Sequence, residues 1–134
     1  MVMYKLIAFD AYGTLFDVYS IGTLAEKLFP GQGKALSLLW RDKQLEYTRL
    51  ISLADPNPLG SQHYQSFWDL TRLALQYSCQ RLQLELTPVK QKQLMDQYSQ
   101  LQPFEENIEV LQALKKTGMR CAILSNGSPD MLHS

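Results

Sequence analysis

The 134-residue sequence predicts an α/β fold in which a helical module is inserted after the first strand of a parallel sheet. Two short apolar runs, residues 6–9 and 119–124, each end in polar residues and a glycine, which is typical of a buried strand that leads into a helix. Roughly 100 residues separate the two runs, whereas a crossover between parallel strands needs only about a dozen. Because the long segment has helical periodicity, we expect it to cover one edge of the sheet.

The first predicted strand, residues 6–9, has no alternation of apolar and polar residues, which favours burial on both faces. Asp10 follows it directly, and Gly13 marks a turn. The second strand is followed in the same way by Ser125 and Asn126. Because ligands bind at the carboxyl ends of strands in open α/β sheets, we expect these polar side chains to share one edge of the sheet.

Five helices are predicted between the strands from apolar faces, capping residues and helix-ending glycines or prolines. They are expected from Asp17 or Ser20 to about residue 29, from about residue 34 to 53, from Ser61 through Tyr77, from Thr87 until Pro103, and from residue 105 to 117. The clearest loop is residues 55–60. In the fifth helix, Ile108, Leu111 and Leu114 form the face that is expected to point inward. A further helix is expected to begin after Gly127.

The composition indicates which classes of partner and which cellular compartment to expect. The 13 Lys and Arg residues balance 13 Asp and Glu residues, so no basic surface for nucleic acid or for an anionic membrane is predicted. The N-terminal apolar run is too short for a signal peptide or a membrane span, which favours a cytoplasmic protein. Cys79 and Cys121 are predicted to be buried free thiols, and their spacing does not indicate metal ligation. His63 and His133 are isolated in the sequence and are expected to have surface or packing roles.

The chemistry expected at the sheet edge centres on Asp10. A carboxylate there, with hydroxyl groups at Thr14 and Ser125 and an amide at Asn126, suits a base, a metal ligand or a nucleophile. The alternative is a structural N-cap, because Asp before a turn and a helix is a common capping arrangement. A helical module over this edge would close the site against water.

The string FDAYGTL at residues 9–15, together with LSNG at residues 124–127, resembles the first two motifs of the haloacid dehalogenase superfamily. Residues 39–47, LWRDKQLEY, resemble a segment of its L-2-haloacid dehalogenase branch. The likeness covers essentially the whole chain, in the same order.

This resemblance implies a Rossmann-like sheet core, incomplete here, in residues 1–15 and 104–134, and an inserted helical cap in residues 16–103. The family continues past its second motif with a lysine, further strands and a late segment that contains Ser, Asn and Asp. Because no position of this sequence corresponds to them, the chain is expected to be truncated after the second motif, and incomplete or inactive as an enzyme.

The activity that the resemblance implies is hydrolytic dehalogenation of L-2-haloalkanoates. Asp10 would attack C2 of the substrate from the side opposite the halide and form an ester, which water then hydrolyses. Arg41 would receive the halide as a permanently charged, weakly hydrated cation. Ser125 and the main-chain amides near Tyr12 would hold the substrate carboxylate.

The same likeness gives Thr14 and Asn126 the role of orienting the nucleophile. Gln44, Leu45, Phe67 and Trp68 are candidates for the wall of the substrate pocket, and the core of the helical cap is the alternative for Phe67 and Trp68. The second helix carries a mixed polar and apolar face at i, i+3, i+4 spacing, which suits such a wall.

Position 12 bears on the choice between dehalogenase and phosphatase. Phosphatases of this superfamily place a second Asp two residues after the nucleophile, where it protonates the leaving alkoxide, whereas a halide leaves without an acid. Tyr12 therefore favours dehalogenation, and we expect no magnesium and no other cofactor. A small-molecule phosphatase and a non-catalytic remnant that acts through its helical cap stay open as alternatives. The all-round apolar helices also predict a homodimer through the cap.

Overall fold

The computed structural model describes residues 4–54 and 62–133. In chain order its elements are strand β1 (Leu6–Phe9), a 3-10 turn (Val18–Ile21), helices α1 (Gly22–Leu28), α2 (Gly33–Ala54), α3 (Phe67–Arg81), α4 (Pro88–Tyr98) and α5 (Glu105–Lys116), strand β2 (Arg120–Ile123) and helix α6 (Pro129–Leu132). The predicted order of elements is therefore confirmed. The predicted loop at residues 55–60 and the predicted helix start at Ser61 lie outside the described residues. Among the helices described, none combines the length and the apolar character needed to cross a membrane.

The two strands pair in parallel. Their register runs from Leu6 opposite Arg120 to Phe9 opposite Ile123. The main-chain amide of Leu124 continues the pairing by donating a 2.8 Å hydrogen bond to the carbonyl of Phe9. Both strands therefore end at the same edge of the sheet, as the sequence predicts.

The prediction that both strands are buried on two faces is wrong. All residues of β2 are exposed, and Leu124, which follows it, is 76 % exposed. In β1, exposed and half-buried residues alternate. A parallel strand is buried only where helices or further strands cover both of its faces. In the described part of the chain α5 packs on β2 but leaves most of the sheet open, so Cys121 is an exposed thiol rather than a buried one.

The caps read from the sequence explain where several helices begin. Asp17 caps the 3-10 turn, and its carboxylate accepts a 2.9 Å hydrogen bond from the amide of Tyr19. Thr87 caps α4 in the same manner, with Pro88 in the first helical position, where a missing N–H costs nothing.

Helix α3 begins later than predicted. Its cap is Ser66, whose hydroxyl oxygen accepts a 3.1 Å hydrogen bond from the amide of Asp69. The same hydroxyl donates to the Asp69 carboxylate at 2.7 Å. Tyr64, which the prediction placed inside the helix, precedes this cap and is exposed.

The hydrophobic core lies among the helices rather than on the sheet. Helix α2 packs against α1 and α3, and Leu36, Trp40 and Leu75 are completely or almost completely buried there. Burying each of these side chains contributes roughly 1.5–3 kcal/mol to the stability of the folded chain. Helix α5 has no buried residue, and Ile108, predicted to point inward, is 46 % exposed because little of the described chain packs on that helix.

Candidate active site

Asp10 and Thr14 form the first part of the site. The loop after β1 turns back at Gly13, whose φ of +91° is strained for residues with a Cβ. The carbonyl of Ala11 accepts hydrogen bonds from the amides of Leu15 at 2.9 Å and Phe16 at 3.0 Å. This turn brings the Thr14 hydroxyl 2.9 Å from Oδ2 of Asp10, to which it donates.

The Asp10 carboxylate is exposed and does not cap a helix. The next helical turn, Val18–Ile21, has Asp17 as its own cap. The capping alternative for Asp10 is therefore wrong. The carboxylate has the accessibility that a nucleophile or base requires.

Ser125 and Asn126 follow β2 at the same edge of the sheet. The hydroxyl oxygen of Ser125 accepts a 3.1 Å hydrogen bond from the amide of Gly127, which forms a tight turn before α6. Ser125 is half-buried and Asn126 is exposed. The parallel pairing therefore places these polar groups on the edge where Asp10 also lies.

Arg41 joins helix α2 to the loop after β1. Its Nη2 donates a 2.9 Å hydrogen bond to the main-chain carbonyl of Tyr12, and its Nη1 donates a 2.6 Å hydrogen bond to Oε1 of Gln44. A Cβ at Gly13 would lie 3.3 Å from the same Nη2. A permanently charged guanidinium is thus held against the loop that carries Asp10.

Tyr12 links the two sheet loops to the helices. Its side chain is 7 % exposed, and its ring centroid lies 5.4 Å from that of Phe67 and 5.7 Å from that of Tyr98. A Cβ at Gly127 would lie 2.9 Å from Cε2 of Tyr12, so the ring rests on the loop after β2. Burial, with a smaller contribution from Tyr98, raises the pKa of Tyr12 to about 12.

Gln44 is completely buried and Phe67 is buried, while the other predicted wall residues, Leu45 and Trp68, are half-buried. Trp68 lines a cavity of about 380 Å³ together with Ser66, Ser99, Ser128, Asp130 and Met131. Of the predicted site residues, Tyr12, Arg41 and Gln44 are therefore in direct contact through Arg41, and Asp10 contacts Thr14.

Sequence patterns missed two polar residues of the site. The hydroxyl of Tyr98 donates a 2.9 Å hydrogen bond to Oε1 of Gln44, and the Gln44 Nε2 donates a 2.6 Å hydrogen bond to Oγ1 of Thr71. Tyr98 lies in an apolar face of α4 and Thr71 in an apolar face of α3, where a buried hydroxyl needs a polar partner. This need for a partner is the sequence signal from which the two residues could have been found. Burial raises the pKa of Tyr98, although Arg41 and Gln44 act in the opposite direction.

The described residues contain no cluster of three or more His, Cys, Asp or Glu side chains that is placed to hold a metal ion. The polar atoms gathered at the site are a carboxylate, hydroxyl groups, carboxamides and one guanidinium. Such a set suits attack by the carboxylate on an electrophilic carbon, with a cation available for an anionic leaving group.

Comparison with known proteins shows the family of this chain. A family profile described as haloacid dehalogenase-like hydrolase matches residues 4–133. The chain belongs to this family. Within this hydrolase family it is 45 % identical over 128 residues to an (S)-2-haloacid dehalogenase of Pseudomonas sp. (strain YL), covering 96 % of this chain and 52 % of that protein. It is 44 % identical over 129 residues to haloacetate dehalogenase H-2 of Moraxella sp. (strain B), covering 96 % and 54 %.

Solved structures of haloacid dehalogenases have the same fold. The L-2-haloacid dehalogenase RSc1362 superposes with a TM-score of 0.90 at 51 % identity, covering 98 % of this chain and 56 % of that one. The Xanthobacter autotrophicus enzyme with chloropropionic acid covalently bound superposes with a TM-score of 0.85 at 39 % identity, covering 98 % and 50 %. The predicted family and the α/β fold class are therefore confirmed. This haloacid dehalogenase-like hydrolase chain spans about half the length of the curated relatives that it matches.

Proposed function

We propose that this protein catalyses the hydrolytic dehalogenation of L-2-haloalkanoates through an ester on Asp10. The observation that carries the proposal is the placement of Arg41 against the carbonyl of Tyr12, two residues after an exposed carboxylate. It brings a cation for the leaving halide to the loop of the nucleophile. Similarity to (S)-2-haloacid dehalogenases supports the substrate class.

In the proposed first step, a carboxylate oxygen of Asp10 forms a bond to C2 of the substrate. The carbon–halogen bond breaks, and the halide leaves with the bonding electron pair toward Arg41. No proton is transferred, so this step needs no acid. Water then attacks the ester carbonyl, which releases the 2-hydroxyalkanoate and a proton and regenerates the carboxylate.

The remaining roles follow the groups around Asp10. Thr14 holds one carboxylate oxygen through its 2.9 Å hydrogen bond, which leaves the other oxygen for attack. We assign Asn126 to the same orienting role, and Ser125 with the amides near Tyr12 to the substrate carboxylate. Their position on one sheet edge supports this assignment.

We further propose that residues 16–103 form a cap on a core of residues 1–15 and 104–134. Contacts of Tyr12 with Phe67 and Tyr98 would then lie at the boundary between them. Leu45 and Trp68 would line the substrate pocket from the cap side.

Halide release from L-2-chloropropanoate tests the proposed reaction. We expect release that is absent with the D-enantiomer and in Asp10→Asn, and a mass increase on Asp10 when the ester is trapped. Labelling of Asp10 without sustained release would mean that the chain performs only the first step, in agreement with the sequence-based expectation of an incomplete enzyme, whereas sustained release would refute that expectation. Neither release nor labelling by the intact chain would contradict the proposal.

The phosphatase alternative receives no support from position 12. Tyr12 is buried between aromatic rings, and with a pKa of about 12 its phenol is a weak acid at neutral pH. Magnesium-dependent release of phosphate from p-nitrophenyl phosphate, without halide release from haloacids, would favour that alternative.

We also propose a homodimer formed through the helices. Leu50 and Leu53 of α2 and Tyr77 of α3 are exposed apolar side chains, and Leu53 is 79 % exposed. Sedimentation that shows a monomer at all concentrations would contradict it.

We propose the cytoplasm as the compartment, since Cys79 and Cys121 are both free thiols, and cell fractionation tests this.

A further inference from the structure

We propose that Gln44 is a positioning residue that fixes the guanidinium of Arg41 and leaves its positive charge available to the departing halide. This inference rests on the proposed function, because it explains how the proposed halide acceptor is held. It also changes the role expected for Gln44, which acts on Arg41 rather than on the substrate.

The orientation of the Gln44 carboxamide is determined by its three partners. Its Oε1 accepts hydrogen bonds from Arg41 Nη1 at 2.6 Å and from the Tyr98 hydroxyl at 2.9 Å. Its Nε2 donates to Thr71 Oγ1 at 2.6 Å. Rotating the carboxamide by 180° would direct its NH₂ group at a guanidinium that can only donate, so the Arg41 hydrogen bond would be lost.

The partners of Gln44 are themselves fixed. Thr71 donates its hydroxyl proton to the carbonyl of Phe67 at 2.7 Å, so its oxygen faces Gln44 as an acceptor. Tyr98 packs against Trp40 with ring centroids 5.4 Å apart, and Trp40 Nε1 donates to the carbonyl of Thr71 at 2.8 Å. Helices α2, α3 and α4 therefore meet at one carboxamide, which is 0 % exposed.

Within residues 4–54 and 62–133, the charge of Arg41 is not compensated by an acidic partner. Its hydrogen-bond acceptors in that part of the chain, the carbonyl of Tyr12, Oε1 of Gln44 and the hydroxyl oxygen of Tyr98, are all neutral. Arg41 takes part in none of the ion pairs found in residues 4–54 and 62–133. A guanidinium has five N–H donors, so these hydrogen bonds leave others for an anion. A carboxylate at position 44 would instead pair with the guanidinium and weaken its attraction for a halide.

Substitutions of similar size separate this role from simple packing. Gln44→Glu keeps an acceptor for Arg41 but adds a negative charge, and Gln44→Met removes the acceptor without adding charge. Gln93, an exposed residue of α4, provides matched controls in Gln93→Glu and Gln93→Met. Binding of bromide by calorimetry is the main measurement, and circular dichroism checks that each variant is folded.

We expect Gln44→Glu to weaken bromide binding about tenfold or more, because a charge-assisted pair with the carboxylate competes with the anion. Gln44→Met is expected to weaken it less, and both Gln93 variants to leave it unchanged. Where turnover is measured, Gln44→Glu should lower kcat more than it raises KM, since the halide charge develops in the transition state. A folded Gln44→Glu with wild-type bromide affinity would overturn the inference.

Thr71→Val provides a second variant if Gln44→Glu does not fold. It removes the acceptor that holds Gln44 Nε2, and we expect weaker bromide binding, whereas unchanged affinity in a folded Thr71→Val would count against the inference. Arg41→Ala separates this result from the proposed function. If wild type binds bromide and Arg41→Ala does not, an unchanged bromide affinity in folded Gln44→Glu refutes only the positioning role of Gln44. If the wild-type chain does not bind bromide, both proposals fail.

Discussion

The guanidinium of Arg41, on helix α2, donates a 2.9 Å hydrogen bond to the main-chain carbonyl of Tyr12, in the loop after strand β1. This bond joins two segments that are 29 residues apart in the sequence. Because it uses a main-chain acceptor, it depends on the path of the loop rather than on the identity of a side chain. Changes in the loop are therefore expected to affect Arg41 directly.

Gly13→Ala tests this dependence. The alanine would have to keep a φ of +91°, which costs roughly 1–2 kcal/mol for a residue with a Cβ. Its Cβ would also lie 3.3 Å from Arg41 Nη2. We expect a loss of stability in urea unfolding together with weaker bromide binding. Gly31→Ala is the control, because Gly31 has a similar φ of +79° with nothing within 4 Å. Equal bromide affinity in both variants would contradict the proposed closeness of the loop to Arg41.

Gly127→Ala tests the contact between the two sheet loops. Its Cβ would lie 2.9 Å from Cε2 of Tyr12, and such overpacking costs roughly 1–3 kcal/mol. In Tyr12→Ala the ring is absent, so adding Gly127→Ala to that variant should cost much less than adding it to wild type. Additive losses of unfolding free energy in the double variant would show that the two residues do not touch.

Thr14→Val tests the support of the nucleophile. It removes the hydroxyl that donates to Asp10, and hydrogen bonds to charged groups contribute roughly 1.5–3 kcal/mol. We expect slower labelling of Asp10 by L-2-chloropropanoate, measured by mass spectrometry, with Thr14→Ser retaining the wild-type rate. Thr23→Val, at an exposed position, is the control for hydroxyl loss. A wild-type labelling rate in folded Thr14→Val would remove Thr14 from the site.

The stability of the chain is expected to fall between pH 10 and 12. Burial raises the folded-state pKa of Tyr12 from 10.0 to about 12, so the unfolded chain loses this proton first as pH rises. The stabilising contribution is fully present below pH 10 and declines by roughly 2 kcal/mol toward pH 12. Tyr12→Phe should lack this part of the decline, whereas Tyr4→Phe, at an exposed site, should retain it. Urea unfolding at several pH values measures the difference.

The two cysteines are expected to react at very different rates. Cys79 is buried, and burial raises its pKa to about 11, so little thiolate is present at neutral pH, while Cys121 is exposed. Iodoacetamide should label Cys121 in the native protein and Cys79 only after denaturation. Peptide mapping with Cys121→Ser as the control identifies the site. Native labelling of Cys79 would show that helix α3 opens readily.

Much of the fold was predictable from local sequence. Thr87 and Pro88 mark the start of α4, and the glycine after each strand marks a turn, because caps and turns depend on residues a few positions away. Burial of the strands was not predictable in this way. The apolar run of β2 is the same whether or not neighbouring elements cover it, and in the described structure they leave it exposed.

For the site as well, some features follow from local sequence and others depend on tertiary packing. The sequence by itself determined the order of strands and helices, the family, and the residue types at the sheet edge, because periodicity, capping and motif spacing are local properties. Only the tertiary structure decided that the buried carboxamide of Gln44 accepts hydrogen bonds from Arg41 and from Tyr98, which is 54 residues away in the sequence. A buried amide must be satisfied by whatever polar groups the packed helices bring to it, and that depends on how α2, α3 and α4 meet.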